Sequence, residues 1–168
     1  MALEIRAPLE RELFDLPNLY LRCWQSTYRG IFPQNYLDSL TQGDMQEEYL
    51  GEENAPNTKV LVALDDGKMA GVSTYGPPRE EMPPGYGELK SIYLLPEHRG
   101  KGIGQALLHR VLQALRNEGY FWAFLYVLEE NRGARRFYER EGFCAKGERH
   151  LFEIEGERLF DLTYETKL

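Results

Sequence analysis

Three short constellations in the 168-residue sequence could carry chemistry. The first is Arg99-Gly100-Lys101-Gly102-Ile103-Gly104. A glycine-rich turn between a strand and a helix aims several backbone N–H groups at one point and adds the positive end of the helix, which suits a phosphate. A nucleoside-triphosphate loop of the form Gly-x-x-x-x-Gly-Lys-Ser/Thr fails here. Leu95 stands where its first glycine belongs, and Gly102 stands where its hydroxyl belongs. The dinucleotide spacing Gly-x-G-x-x-Gly fails as well, since Gln105 or Leu107 falls at its last position. The second constellation is Asn131 and Tyr138, separated by two helical turns and therefore on one helix side. A phenol, with a pKa near 10, is a protonated donor at neutral pH. The third is Glu88 at the start of a strand, a carboxylate that could take up a proton or stand as a solvated strand-end acid.

Alternating and 3.6-residue apolar periods define the elements that must hold these groups. Strands are expected at 3–7, 59–64, 68–75, 88–95, 121–128, 143–154 and 157–167. Asp65-Asp66-Gly67 joins the second and third as a hairpin. One helix lies between Leu9 and about Trp24, beginning or bending at Pro17. A second starts with Pro33 and takes its apolar side from Tyr36, Leu37, Leu40, Tyr49 and Leu50, and 51–58 forms a polar linker. The stripe Ile103, Leu107, Val111, Leu115 marks a helix closed by Gly119, and a short helix runs from about Arg132 to Glu141. Between Gly76 and Gly87, Pro77, Pro78, Pro83 and Pro84 impose a loop. The order β-α-α-β-β-β-α-β-α-β-β describes one mixed α/β domain over residues 1–168.

Arg99-x-x-Gly102-x-Gly104 resembles the Gln/Arg-x-x-Gly-x-Gly/Ala pyrophosphate loop of the GNAT superfamily of N-acetyltransferases. The strand before it ends in Pro96, as is usual there. Downstream, Leu125 to Leu128, Asn131, Ala134, Phe137-Tyr138 and Gly142-Phe143 resemble the family's second signature. Trp24, Tyr28 to Pro33 and Tyr36-Leu37 look like an N-terminal variant found among bacterial members. The resemblance runs from about Ile5 to Leu168. It implies an α+β fold whose mixed, mostly antiparallel sheet splays between its fourth and fifth strands, flanked by helices.

By the same resemblance, acetyl-coenzyme A is the co-substrate and no metal is needed. Ile92, Tyr93 and Leu94 offer backbone groups to the pantetheine arm, Arg99, Gly100, Lys101, Gly102, Ile103 and Gly104 surround the pyrophosphate, and Asn131 hydrogen-bonds the pantetheine while capping a helix. Tyr138 protonates the departing thiolate. Some members keep a catalytic glutamate where Glu88 stands. Others carry one five residues before the Asn, where this chain has Tyr126, so a water is the alternative base. Trp24, Tyr28 and Phe32 would line the acceptor pocket, as aromatic side chains often do. The activity implied is acetyl transfer to a primary amine of a small molecule or protein in a ternary complex. A non-catalytic acyl-coenzyme A-binding module is the alternative.

Composition narrows the partners. The net charge is −7, from 27 acids against 20 bases, which disfavours nucleic acid because its binding rests on Lys and Arg neutralising phosphates. Glu80, Glu81, Glu153, Glu155 and Glu157 would attract a cationic amine if they border the pocket. The two cysteines, Cys23 and Cys144, and the scattered His98, His109 and His150 have no metal-ligand spacing. No membrane-length apolar run occurs, so a cytoplasmic protein is expected, and a homodimer is compatible with the resemblance.

Overall fold

The computed structural model describes residues 2–53 and 55–168, without the side chains of 49–53. Seven strands, β1 (Leu3–Arg6), β2 (Lys59–Asp65), β3 (Lys68–Gly76), β4 (Tyr86–Leu94), β5 (Trp122–Leu128), β6 (Cys144–Ile154) and β7 (Glu157–Lys167), form one sheet in the order β1-β2-β3-β4-β5-β7-β6. All neighbours are antiparallel except β4 and β5. The helices are α1 (Leu16–Thr27), α2 (Gln34–Ser39), α3 (Gln42–Glu53), α4 (Ile103–Asn117) and α5 (Arg132–Arg140). This is the expected mixed α/β architecture, and its registers supply the site.

The α4 stripe Ile103, Leu107, Val111 and Leu115 is fully buried against Ala63, Ala70 and Leu89 on one sheet face. On the other face, Leu16, Leu19, Tyr20 and Cys23 of α1 pack with Met45 of α3 against Val62, Leu64 and Val72. Burying a Leu or Val side chain of this kind contributes about 1.5–3 kcal/mol.

Several sequence-based expectations change. A short 3-10 helix over Glu10–Phe14 precedes α1, which starts at Leu16 with Pro17 in its first turn, where a missing N–H costs nothing. The second expected helix is two. Pro33 is the N-cap of α2 rather than its first residue, and α3 restarts because Thr41 and Asp44 cap it reciprocally. The Thr41 hydroxyl accepts from the Asp44 N–H at 3.2 Å and the Asp44 carboxylate accepts from the Thr41 N–H at 2.8 Å. Helix α3 extends to Glu53, so the expected linker starts later; the Tyr49 and Leu50 side chains and Asn54 lie outside the described residues. Phe121 precedes β5 and is 70% exposed instead of being a buried strand residue.

Strands β4 and β5 pair only at Tyr86↔Trp122, Gly87↔Ala123 and Glu88↔Phe124. Beyond Glu88 the two strands part. A bulge in β4 accompanies the split: Tyr75 pairs with Leu89 and Thr74 with Ser91, which leaves Lys90 extra. The extra residue resets the alternation, so Leu89, Ile92 and Leu94 join the α4-side core while Tyr93 turns to the α1 side.

Candidate active site

The parting strands open a cleft of about 780 Å³ that runs from the start of α4 to β7. Its floor is the backbone of Leu89–Leu94 on one side and Leu125–Leu128 on the other. Of the β4 groups expected there, the Leu94 carbonyl is already occupied, accepting from Arg99 Nε at 3.2 Å and Nη2 at 3.1 Å. Ile92 and Tyr93 also border the cleft.

At one end lies the glycine loop. Gly100 and Gly102 have φ of +75° and +82°, the left-handed region that favours glycine, and a Cβ on either would meet no atom within 4 Å. Gly102 is the N-cap of α4, and no side chain caps that helix. Its first-turn N–H groups therefore face open space. Gly104 is small for another reason: a Cβ there would sit 3.1 Å from Leu94 Cδ1. The loop's long side chains point elsewhere. Arg99 donates to Ser26 Oγ and Thr27 Oγ1, and Lys101 pairs with Asp65 at 3.2 Å, beside His98 on the same carboxylate. Ile103 is core. Backbone amides and a helix end, without competing side chains, fit a pyrophosphate.

At the middle of the cleft stand Asn131 and Tyr138. Asn131 Oδ1 accepts from the Ala134 N–H at 3.2 Å, capping α5. Tyr138 is 8% exposed, borders the cleft, and has no hydrogen bond among the described residues. Desolvation, helped by Tyr28, pushes its phenol above the ordinary value. It stays protonated through neutral pH.

The acceptor-side residues divide. Tyr28 borders the cleft and shares a 3.3 Å hydroxyl contact with Tyr93. Phe32 is buried, stacked on Tyr28 with ring centres 4.3 Å apart, and Trp24 meets Tyr28 edge-on at 5.3 Å. Both stand behind Tyr28 rather than on the cleft surface. Tyr28 is the C-cap of α1 and Phe32 lies in the turn after it, so the three rings pack together and, of these, Tyr28 borders the cavity.

Glu88 is fully buried, with its carboxylate accepting from the Arg79 N–H at 2.9 Å and from Arg79 Nε and Nη2 at 3.1 and 2.6 Å. This pair fastens the proline-rich loop over β4. The loop in turn sets Glu80 3.4 Å from the Tyr126 hydroxyl. Burial, then the charges of Glu80 and Glu88, push the Tyr126 phenol up to about 12. Glu153, Glu155 and Glu157 are exposed at the β6–β7 turn, away from the cleft lining. Asp161 of β7 does line it, and was not singled out from the sequence.

A family model described as Acetyltransferase (GNAT) family matches residues 15–143. The sequence is 31% identical over 128 residues to the uncharacterized N-acetyltransferase YuaI of Bacillus subtilis, spanning 76% of this chain and 72% of that one. The chain belongs to the GNAT acetyltransferase family. This GNAT acetyltransferase takes its acyl group from acetyl-coenzyme A. It is also 29% identical over 143 residues to the spermidine N(1)-acetyltransferase of Thermoplasma acidophilum, covering 85% and 89% of the two chains. Its fold matches that of the PaiA N-acetyltransferase of the same organism, solved in complex with coenzyme A. The TM-score there is 0.76 at 24% identity, with all of both chains covered.

Proposed function

We propose that this acetyltransferase, one domain over residues 1–168, transfers acetyl from acetyl-coenzyme A to a cationic primary amine by direct attack in a ternary complex. The observation that carries the reading is the cleft's asymmetry: free helix amides at one end and the carboxylate of Asp161 in the lining toward the other, with Glu80 behind it on the Tyr126 hydroxyl. The likeness to a spermidine acetyltransferase supports the same class of acceptor.

Bound acetyl-coenzyme A supplies a thioester open to nucleophilic attack. The Arg99 N–H is already given to the Pro96 carbonyl, so the amides from Gly100 to Gly104, including those of Lys101 and Ile103, hold the pyrophosphate, and Ile92, Tyr93 and Asn131 hold the pantetheine arm. Tyr138 gives its hydroxyl proton to the sulfur as the C–S bond breaks. The acceptor needs help with its own proton: an amine of pKa about 10.4 is neutral in roughly one molecule in 2,500 at pH 7. A carboxylate in a partly desolvated cleft reduces that barrier.

Salt gives the test. Attraction between a cationic acceptor and a net −7 chain is screened over about 8 Å at physiological ionic strength. Across diamines, monoamines and amino compounds that also carry a carboxylate, diamines should give the highest kcat/KM. Their KM should rise several-fold between 50 and 500 mM salt (test concentrations of roughly these values), while KM for acetyl-coenzyme A changes less. A best acceptor that is anionic, or whose KM ignores salt, contradicts the reading.

A further inference from the structure

Residues paired across neighbouring strands share a sheet face. The registers therefore place Glu88, Phe124, Tyr126, Leu128, Asp161 and His150 on one face. Leu125, Val127, Leu162 and Tyr164 point the other way, into the α4 core. Among the carboxylates near this face, Glu88 is occupied by Arg79, Glu80 by Tyr126 and Glu165 by Tyr86 and Lys146. Asp161 borders the cleft and has no hydrogen bond or ion pair among the described residues.

We propose that Asp161 is the carboxylate that receives the acceptor's ammonium and takes its proton, and that Glu88 instead positions the loop through Arg79. This rests on the reading that the cleft acetylates a cationic amine. The ammonium gives one proton to Asp161, which frees the nitrogen lone pair. The N–C bond then forms, the C–S bond breaks, and sulfur takes the proton of the Tyr138 hydroxyl. The second nitrogen proton restores that hydroxyl, and Asp161 loses its proton to solvent. Merging two charges into a neutral pair is favoured where water is scarce. Burial pushes the Asp161 carboxyl above its ordinary value, against smaller opposing effects of His150 and Arg79, which makes it a better base.

The groups facing Asp161 are His150 from β6, Arg79 from the proline-rich loop and Tyr126 from β5, with Tyr28 of α1 and Tyr138 of α5 bordering the same cleft. Each is kept in the test. Asp161→Asn, Asp161→Glu and Glu88→Gln are compared with the parent by kcat/KM for spermidine against pH, with the acetyl-coenzyme A-induced shift in Tm recorded for each. Asp161→Asn should lower kcat/KM by about 10²–10⁴-fold and remove its carboxylate acid limb, with the Tm shift intact. Asp161→Glu should restore part of the loss. Glu88→Gln should lower the ligand-free Tm and keep the limb. An active parent whose Asp161→Asn variant has the same kcat/KM and limb overturns the role of Asp161 alone. A parent that binds acetyl-coenzyme A but acetylates no amine overturns the acceptor reading together with it.

Discussion

Gly102→Glu should abolish the thermal stabilisation that acetyl-coenzyme A gives the parent protein. A ligand bound only by the folded state, at a hundred times its Kd, stabilises by about 2.7 kcal/mol. For a chain of this size that corresponds to roughly 5–11 °C in Tm. Gly102 is the uncapped N-terminus of α4, and open space surrounds its Cβ position. A glutamate there would fill the space meant for the pyrophosphate with a charge of the same sign. The φ of +82° adds a separate cost, since an L-residue in that region loses about 1–2 kcal/mol. That cost lowers the ligand-free Tm but cancels when each variant is compared with and without ligand. Gly102→Ala carries the same backbone strain without the charge, so it should keep part of the ligand shift. A full shift in Gly102→Glu would move the pyrophosphate elsewhere.

Tyr138→Phe should reduce single-turnover acetyl transfer by about 10²–10⁴-fold while leaving the Tm and the acetyl-coenzyme A shift nearly unchanged. The substitution removes one oxygen that has no hydrogen bond among the described residues, so no partner is left stranded. The ring keeps its contacts with Phe137 and Phe143. Desolvation makes the phenol a weaker acid, yet the same dry surroundings raise the energy of the departing thiolate it must neutralise. Activity needs the protonated phenol, whose folded pKa is raised. Activity is therefore retained at neutral pH and lost only as pH climbs through that raised value. The parent should show no basic limb from Tyr138 below about pH 10. Unchanged turnover in Tyr138→Phe would reduce Tyr138 to a packing residue.

The glycine loop was legible because its chemistry is local. Three glycines over five residues and a following apolar stripe fix a strand, a turn and a helix start, and the structure keeps that order. The splay between β4 and β5 came from resemblance, since no spacing reveals where a parallel ladder stops. The break between α2 and α3 had a readable signal in Thr41-x-x-Asp44, masked by apolar periodicity that continued across it. Arg79 and Glu88 meet across a proline-rich loop whose path the sequence does not dictate. Asp161 was hidden because it shares its alternate strand positions with Glu157, Thr163 and Glu165, opposite Phe160, Leu162 and Tyr164, and so reads as solvent-facing. Only the β5–β7 register, Leu128↔Asp161, turns it toward the cleft. Trp24 and Phe32 were grouped with Tyr28 by the family resemblance, and packing then ranked them by depth.

The most direct measurement is thiol release from acetyl-coenzyme A by the parent protein, with and without a diamine such as spermidine, together with the mass of the amine product. The account requires release that depends on the diamine, with one acetyl group appearing on the amine for each thiol freed. Tight binding of acetyl-coenzyme A with no amine-dependent release, for diamines, monoamines and carboxylate-bearing amines alike, would contradict it and leave an acyl-coenzyme A-binding module in its place.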